Sequence, residues 1–135
     1  MPADVAAAFE TYPLAARARL LEVRRLIFET AAATPGVGPL TETLKWKEPA
    51  YLTAVSGSGS TIRLGWPRSM PNRCAVYLNC KTTLVDTFRG FAPDGLAFQG
   101  NRAILMAVDC PLPRDALTTC LALALTYHHA KRRAA

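Results

Sequence analysis

Two stretches of strict alternation decide what this chain can build. In Ser60–Trp66, Ile62, Leu64 and Trp66 fall on one side, and Thr61, Arg63 and Gly65 on the other. In Arg73–Cys80, Cys74, Val76, Leu78 and Cys80 form the apolar side, and Ala75, Tyr77 and Asn79 the opposite one. A period of two is the mark of a pleated strand with one buried face. The "PRSMPN" between them reads as a loop, so the two strands are expected to lie side by side and antiparallel. Arg63, Tyr77 and Asn79 then share the face turned away from the core.

The other elements attach to this pair. Asp4 is placed to cap a short alanine-rich helix, and Pro13 opens a longer one, with Leu20, Val23, Ile27 and Ala31 at helical spacing. "TPGVGP" ends it. Thr41–Leu44 is read as one helical turn, Pro49 forces extended backbone, and Tyr51–Val55 reads as a strand. "SGSGS" is expected to be a flexible hairpin tip. A helix is predicted from about Thr83 to Phe91, closed by Gly90 and Pro93. Leu96–Gln99 and Arg102–Val108 make a hairpin across Gly100-Asn101. The last helix starts at Pro113 or Asp115 and is apolar nearly all round, so it is either deeply buried or half-covered by a partner, which allows a homodimer. The class is α+β: a single domain over 1–135, with about five mostly antiparallel strands and helices packed on one face.

Composition narrows the function classes. The 135 residues are 50% apolar and 19% charged, a globular balance, and no apolar run approaches the ~20 residues of a membrane span. The N-terminus carries an early acid and no basic segment, so no secretory signal is expected and a cytoplasmic setting is. There the four cysteines stay reduced. Cys74 and Cys80, on one strand ~20 Å apart, are beyond disulfide reach. The net charge of +6 is spread over Arg17, Arg19, Arg24 and Arg25 on one helix and Lys131–Arg133 in a tail. Neither group has interleaved aromatics, so a solvated face explains them better than a nucleic-acid surface.

The junction "LNCKTTLVDTFRG" concentrates polar residues where a strand gives way to a helix. Thr83 and Asp86 fit a shortened capping box, and Cys74 and Cys120 read as small buried hydrophobes. The competing reading is an anion pocket in which Arg63, Tyr77 and Asn79 are joined by Lys81, Arg89 and Arg102. Trp46, Tyr51 and Trp66 flank it, as cleft walls or as core. Cys80, beside Lys81 at a helix start, would be a nucleophile only with a positioned base, and by parity it faces the core. His128-His129, about 100° apart on a helix, do not chelate one ion together.

Taken together, "YPLAARARLLEVRRLI", "LTETLKWKEPAYL", "STIRLGW", "YLNCKTTLVDTFRGFAPD", "FQGNRAILM" and "LPRDALTTCLALALTYHH" resemble the YdhG-like family of small bacterial domains, over nearly the whole chain. The resemblance implies a compact α+β domain with helices on a curved antiparallel sheet. It brings no catalytic set and no cofactor. Some relatives are described as frataxin-like iron chaperones, but the 10 acids here are scattered, whereas iron needs clustered oxygen ligands. The leading expectation is a non-enzymatic binding domain for a small anionic ligand or a partner protein. A metal chaperone and a cysteine-dependent enzyme are the alternatives.

Overall fold

The computed structural model describes residues 1–91 and 94–134. Two helices, α1 (Ala3–Glu10) and α2 (Leu14–Ala33), precede four strands, β1 (Thr41–Lys45), β2 (Glu48–Leu52), β3 (Ile62–Gly65) and β4 (Arg73–Tyr77). Then follow α3 (Leu84–Gly90), the hairpin β5 (Ala97–Gln99) and β6 (Ala103–Ala107), and the helices α4 (Arg114–Leu125) and α5 (Tyr127–Ala134). The strands form one sheet in the order β1-β2-β3-β4-β6-β5, and every pairing is antiparallel. No helix among the described residues is long and apolar enough to cross a membrane.

The alternation in β3 and β4 works as the sequence predicts. Ile62, Leu64, Cys74 and Val76 are buried in the main core with Leu20, Val23 and Ile27 of α2, Phe88 of α3, and Leu117 and Leu121 of α4. Burying such side chains supplies ~1.5–3 kcal/mol each, which is what holds the helices to the sheet. The opposite face is built of small residues: Ala50, Gly65, Ala75 and Ala103 are all buried there, beneath longer neighbours. Met70, from the loop between β3 and β4, and Tyr77 pack over Ala75, Ala103 and Leu105. The buried side chains of α1 to α4 pack into this first core, so among the described residues no helix covers the second face.

Several local expectations give way to tertiary context. Thr41–Leu44 is strand rather than helical turn, because β1 pairs with β2 through Thr41↔Leu52 to Lys45↔Glu48. That makes six strands. Asp4 does not cap α1. The helix begins at Ala3, and Asp4 accepts the N–H of Val5 at 2.8 Å from inside the first turn. Thr83 stands at the cap position of α3 with φ −94° and ψ 11°, away from the extended geometry that aims a hydroxyl at the helix, and makes no capping bond. Asp86 faces Arg89 instead, at 3.5 Å. Gly90 ends α3 as expected; Pro93 lies outside the described residues.

The "SGSGS" stretch is pinned. Ser58 Oγ donates to the Leu125 carbonyl at 2.7 Å, the Ser60 N–H donates to Ala124 O at 2.9 Å, and the N–H groups of His128 and His129 both donate to Ser58 O. A side chain at Gly59 would run into the Leu125 backbone. This seam lies where the last helix divides into α4 and α5, and the apolar residues Leu117, Cys120, Leu121, Ala124 and Leu125 are buried within the chain itself. Of the four arginines of α2, Arg25 is exposed as a solvated face requires, but the other three are tethers. Arg17 donates to the carbonyls of Phe9, Glu10 and Tyr12, Arg19 to those of Val108 and Cys110, and Arg24 grips Glu42 of β1 with two bonds of 2.6 and 2.9 Å.

Candidate ligand-binding cleft on the helix-free face

At one end of the helix-free face the side chains open into a cleft of about 710 Å³. Lys45, Trp46 and Glu48 line it from the β1–β2 hairpin, Thr61 and Arg63 from β3 and its approach, Tyr77 to Cys80 from the end of β4, and Arg102 from the start of β6. That volume falls in the ~300–1,000 Å³ range of small-molecule sites. Pleat parity puts most of these together. Ala50 pairs with Arg63, Arg63 with Tyr77, and Tyr77 with Ala103, so Arg63 and Tyr77 are neighbours across adjacent strands on the same side.

At its floor, Arg63 Nη1 meets Glu48 Oε1 at 2.6 Å, and the guanidinium lies 5.4 Å from the centre of the Tyr77 ring. Both groups press onto the backbone at Gly65, where a β-carbon would collide with the Glu48 carboxylate and the Tyr77 ring. Burial pushes the Glu48 carboxyl above its ordinary value, and the attraction of Arg63 and Arg102 offsets this only in part. Burial, and then the charge on Glu48, also raise the Tyr77 phenol. Tyr12 braces the floor from the other side, its hydroxyl donating to Leu64 O at 3.0 Å. Continuing the β2–β3 register sets Leu64 opposite Pro49, which has no N–H to offer.

The rim is cationic. Three cations, Lys45, Arg63 and Arg102, face one carboxylate, Glu48. Arg63 is committed to Glu48, whereas Lys45 and Arg102 have no ion-pair partner among the described residues. Asn79 forms the corner through its backbone as well as its side chain. Its Oδ1 accepts the Lys81 N–H at 2.9 Å, and its carbonyl accepts the Thr82 N–H and hydroxyl. This turn stops the alternation after Leu78, which is still buried in the main core. Cys80 is therefore exposed and lines the cleft instead of facing the core, a correction of the parity argument. Cys74 and Cys120 are the buried pair, with thiols pushed up by burial to about 12 and about 11.

Of the nine residues singled out in the sequence, Arg63, Tyr77, Asn79, Arg102 and Trp46 line this one cleft. Lys81 is exposed in the turn beside it. Arg89 lies over the Phe98 ring at 5.8 Å. Phe98 pairs with the core residue Ile104, so Arg89 is on the helix side of the sheet. Tyr51 is fully buried on that side too, edge-on to Phe28 at 5.7 Å. Trp66 donates its indole N–H to Pro71 O and closes the β3–β4 loop. Lys45, Glu48 and Thr61 were not singled out. The parity that unites Lys45 with Glu48 becomes visible only when residues 46 and 47 are read as a two-residue turn.

No histidine lines the cleft, and Cys80 has no hydrogen-bonded base among the described residues. No three His, Cys, Asp or Glu side chains cluster at metal-binding range among them either. Neither a family model, nor a curated protein, nor a solved structure matches the chain.

Proposed function

We propose that the chain is a cytoplasmic binding domain that holds a small anionic molecule in the cleft between Lys45 and Arg102. The observation that carries this is the uneven use of charge. Glu48 neutralises Arg63, while Lys45 and Arg102 line the same partly enclosed space with no ion-pair partner among the described residues. An anion there completes the pairing and gains more from each contact than it would in open water. The phenol of Tyr77 and the amide of Asn79 add hydrogen-bonding groups. The compartment is part of the proposal, supported by four unpaired cysteines, of which Cys80 and Cys110 are exposed. Membership of the YdhG-like family belongs to it as well, supported by the ordered motif phrases and by a helix-covered antiparallel sheet.

Thermal shift with a panel of small carboxylates and phosphates tests it. At least one is expected to raise the Tm of the wild type and to lose that effect in the Lys45→Ala/Arg102→Ala double variant. A panel in which none acts, or in which the double variant responds like the wild type, refutes the reading.

A further inference from the structure

Trp46 stands at the rim of the cleft with 85% of its surface exposed. It and Lys47 are the two central residues of the β1–β2 turn, and both have left-handed backbone, with φ of 53° and 63°. Turns of this kind are the province of Asn, Asp and Gly, which take positive φ with little strain. A bulky tryptophan there is disfavoured by its backbone and contributes almost nothing to the core. Local strain of this sort gathers where a side chain is held out for a ligand. The indole is also the largest aromatic group lining the cleft, whose lining includes the neighbouring Lys45 of the same hairpin and Arg102, neither of which has an ion-pair partner among the described residues.

We propose that the anion is ring-bearing: a planar aromatic or heteroaromatic acid whose ring stacks on Trp46 and whose carboxylate or phosphate is held by Lys45 and Arg102. This rests on the anion reading above and adds the part of the ligand that the cations do not recognise. The cleft volume of about 710 Å³ accommodates either a simple aromatic carboxylate or a mononucleotide. Both present the same pair of groups, a flat π-system and a charged acid.

Calorimetric titration of the whole chain with two matched pairs of probes tests this: benzoate against acetate, and adenosine monophosphate against ribose 5-phosphate. Stacking on one aromatic side chain implies that the ring-bearing member of at least one pair binds the wild type about tenfold tighter than its ring-less partner. The pair with the larger ratio tells an aromatic carboxylate from a nucleotide. In Trp46→Asn that ratio is expected to fall to about one, while the Tm of the unliganded protein rises because asparagine relieves the turn, so a loss of preference cannot be put down to misfolding. Equal binding within both pairs, or a preference that survives Trp46→Asn, overturns the ring proposal and leaves the anion reading standing. Failure of all four probes to bind the wild type removes both.

Discussion

Glu48 and Arg63 meet at 2.6 Å on the helix-free side of the sheet, in space left open by the missing side chain of Gly65. The pair fixes the floor of the cleft and sets its charge. Because burial already holds the Glu48 carboxyl above its ordinary value, it loses its charge at a higher pH than an ordinary carboxylate would, and among the described residues it is the one carboxylate lining the cleft. The groups that bear on it are Arg63, Arg102, Tyr77 and Tyr12, and Lys45 stands opposite it in the backbone register of the hairpin without forming an ion pair with it.

Binding of an anion that itself stays fully ionised, such as benzenesulfonate, is therefore expected to tighten as the pH falls toward the raised Glu48 value. The gain is roughly two- to fivefold, the equivalent of about 0.5–1 kcal/mol for a half-exposed charge. Glu48→Gln should bind tightly at neutral pH and lose the pH dependence. Calorimetry from pH 7.5 to about pH 5 distinguishes these outcomes, and affinity that weakens on acidification contradicts the assignment.

The Arg24–Glu42 pair works in the opposite direction. Burial alone would push the Glu42 carboxyl up, but the two-bond grip of Arg24 brings it below its ordinary value of 4.5. The Tyr51 hydroxyl sits close enough to favour this electrostatically, although it makes no hydrogen bond of regular geometry. A depressed carboxyl stabilises the fold above 4.5, and that contribution is lost as the pH drops through the lowered value. Glu42→Gln is expected to cost about 1–2 kcal/mol at neutral pH and to flatten the loss of stability below pH 4.5, as read by urea denaturation across that range.

Gly59 is where the "SGSGS" segment touches the end of α4. Gly59→Ala places a methyl group against the Leu125 backbone, which cannot swing aside as a side chain would. A loss of about 2 kcal/mol is expected, with the Ser58–Leu125 and Ser60–Ala124 bonds disturbed. Gly90→Ala, which meets nothing within 4 Å, should change stability by less than about 1 kcal/mol. Denaturant midpoints for the two variants give the comparison.

Lys47 has a φ of 63° on an exposed turn. Lys47→Gly removes that strain and is expected to stabilise the protein by about 1 kcal/mol, measured as an increased denaturant midpoint with an unchanged slope.

The same turn marks the limit of what the sequence reveals. The alternation of Ile62 and Leu64 with Arg63, and of Cys74 and Val76 with Tyr77, is local and strong, and it carries the class, the sheet and the shared face of Arg63 and Tyr77. β1 has only Leu44 as an apolar residue, and its turn has none of the residues that announce a tight turn, so a short helix looks equally good. Its strand identity comes from pairing with β2, a tertiary effect. Glu48 belongs to the cleft through register, which no local pattern encodes. Cys80 leaves the alternation because Asn79 folds the chain back with its own carbonyl and side chain, a turn hidden inside an otherwise regular repeat. Ser58 looks flexible by composition and is fixed by a carbonyl 67 residues away in the chain.

The most direct test of the account is a map of amide chemical shifts as isotope-labelled protein is titrated with phenyl phosphate. Changes should concentrate at Lys45–Glu48, Thr61–Arg63, Tyr77–Cys80 and Arg102, the residues that converge on the helix-free face. Shifts absent from those residues, or confined to the basic Lys131–Arg133 segment of α5, would contradict it.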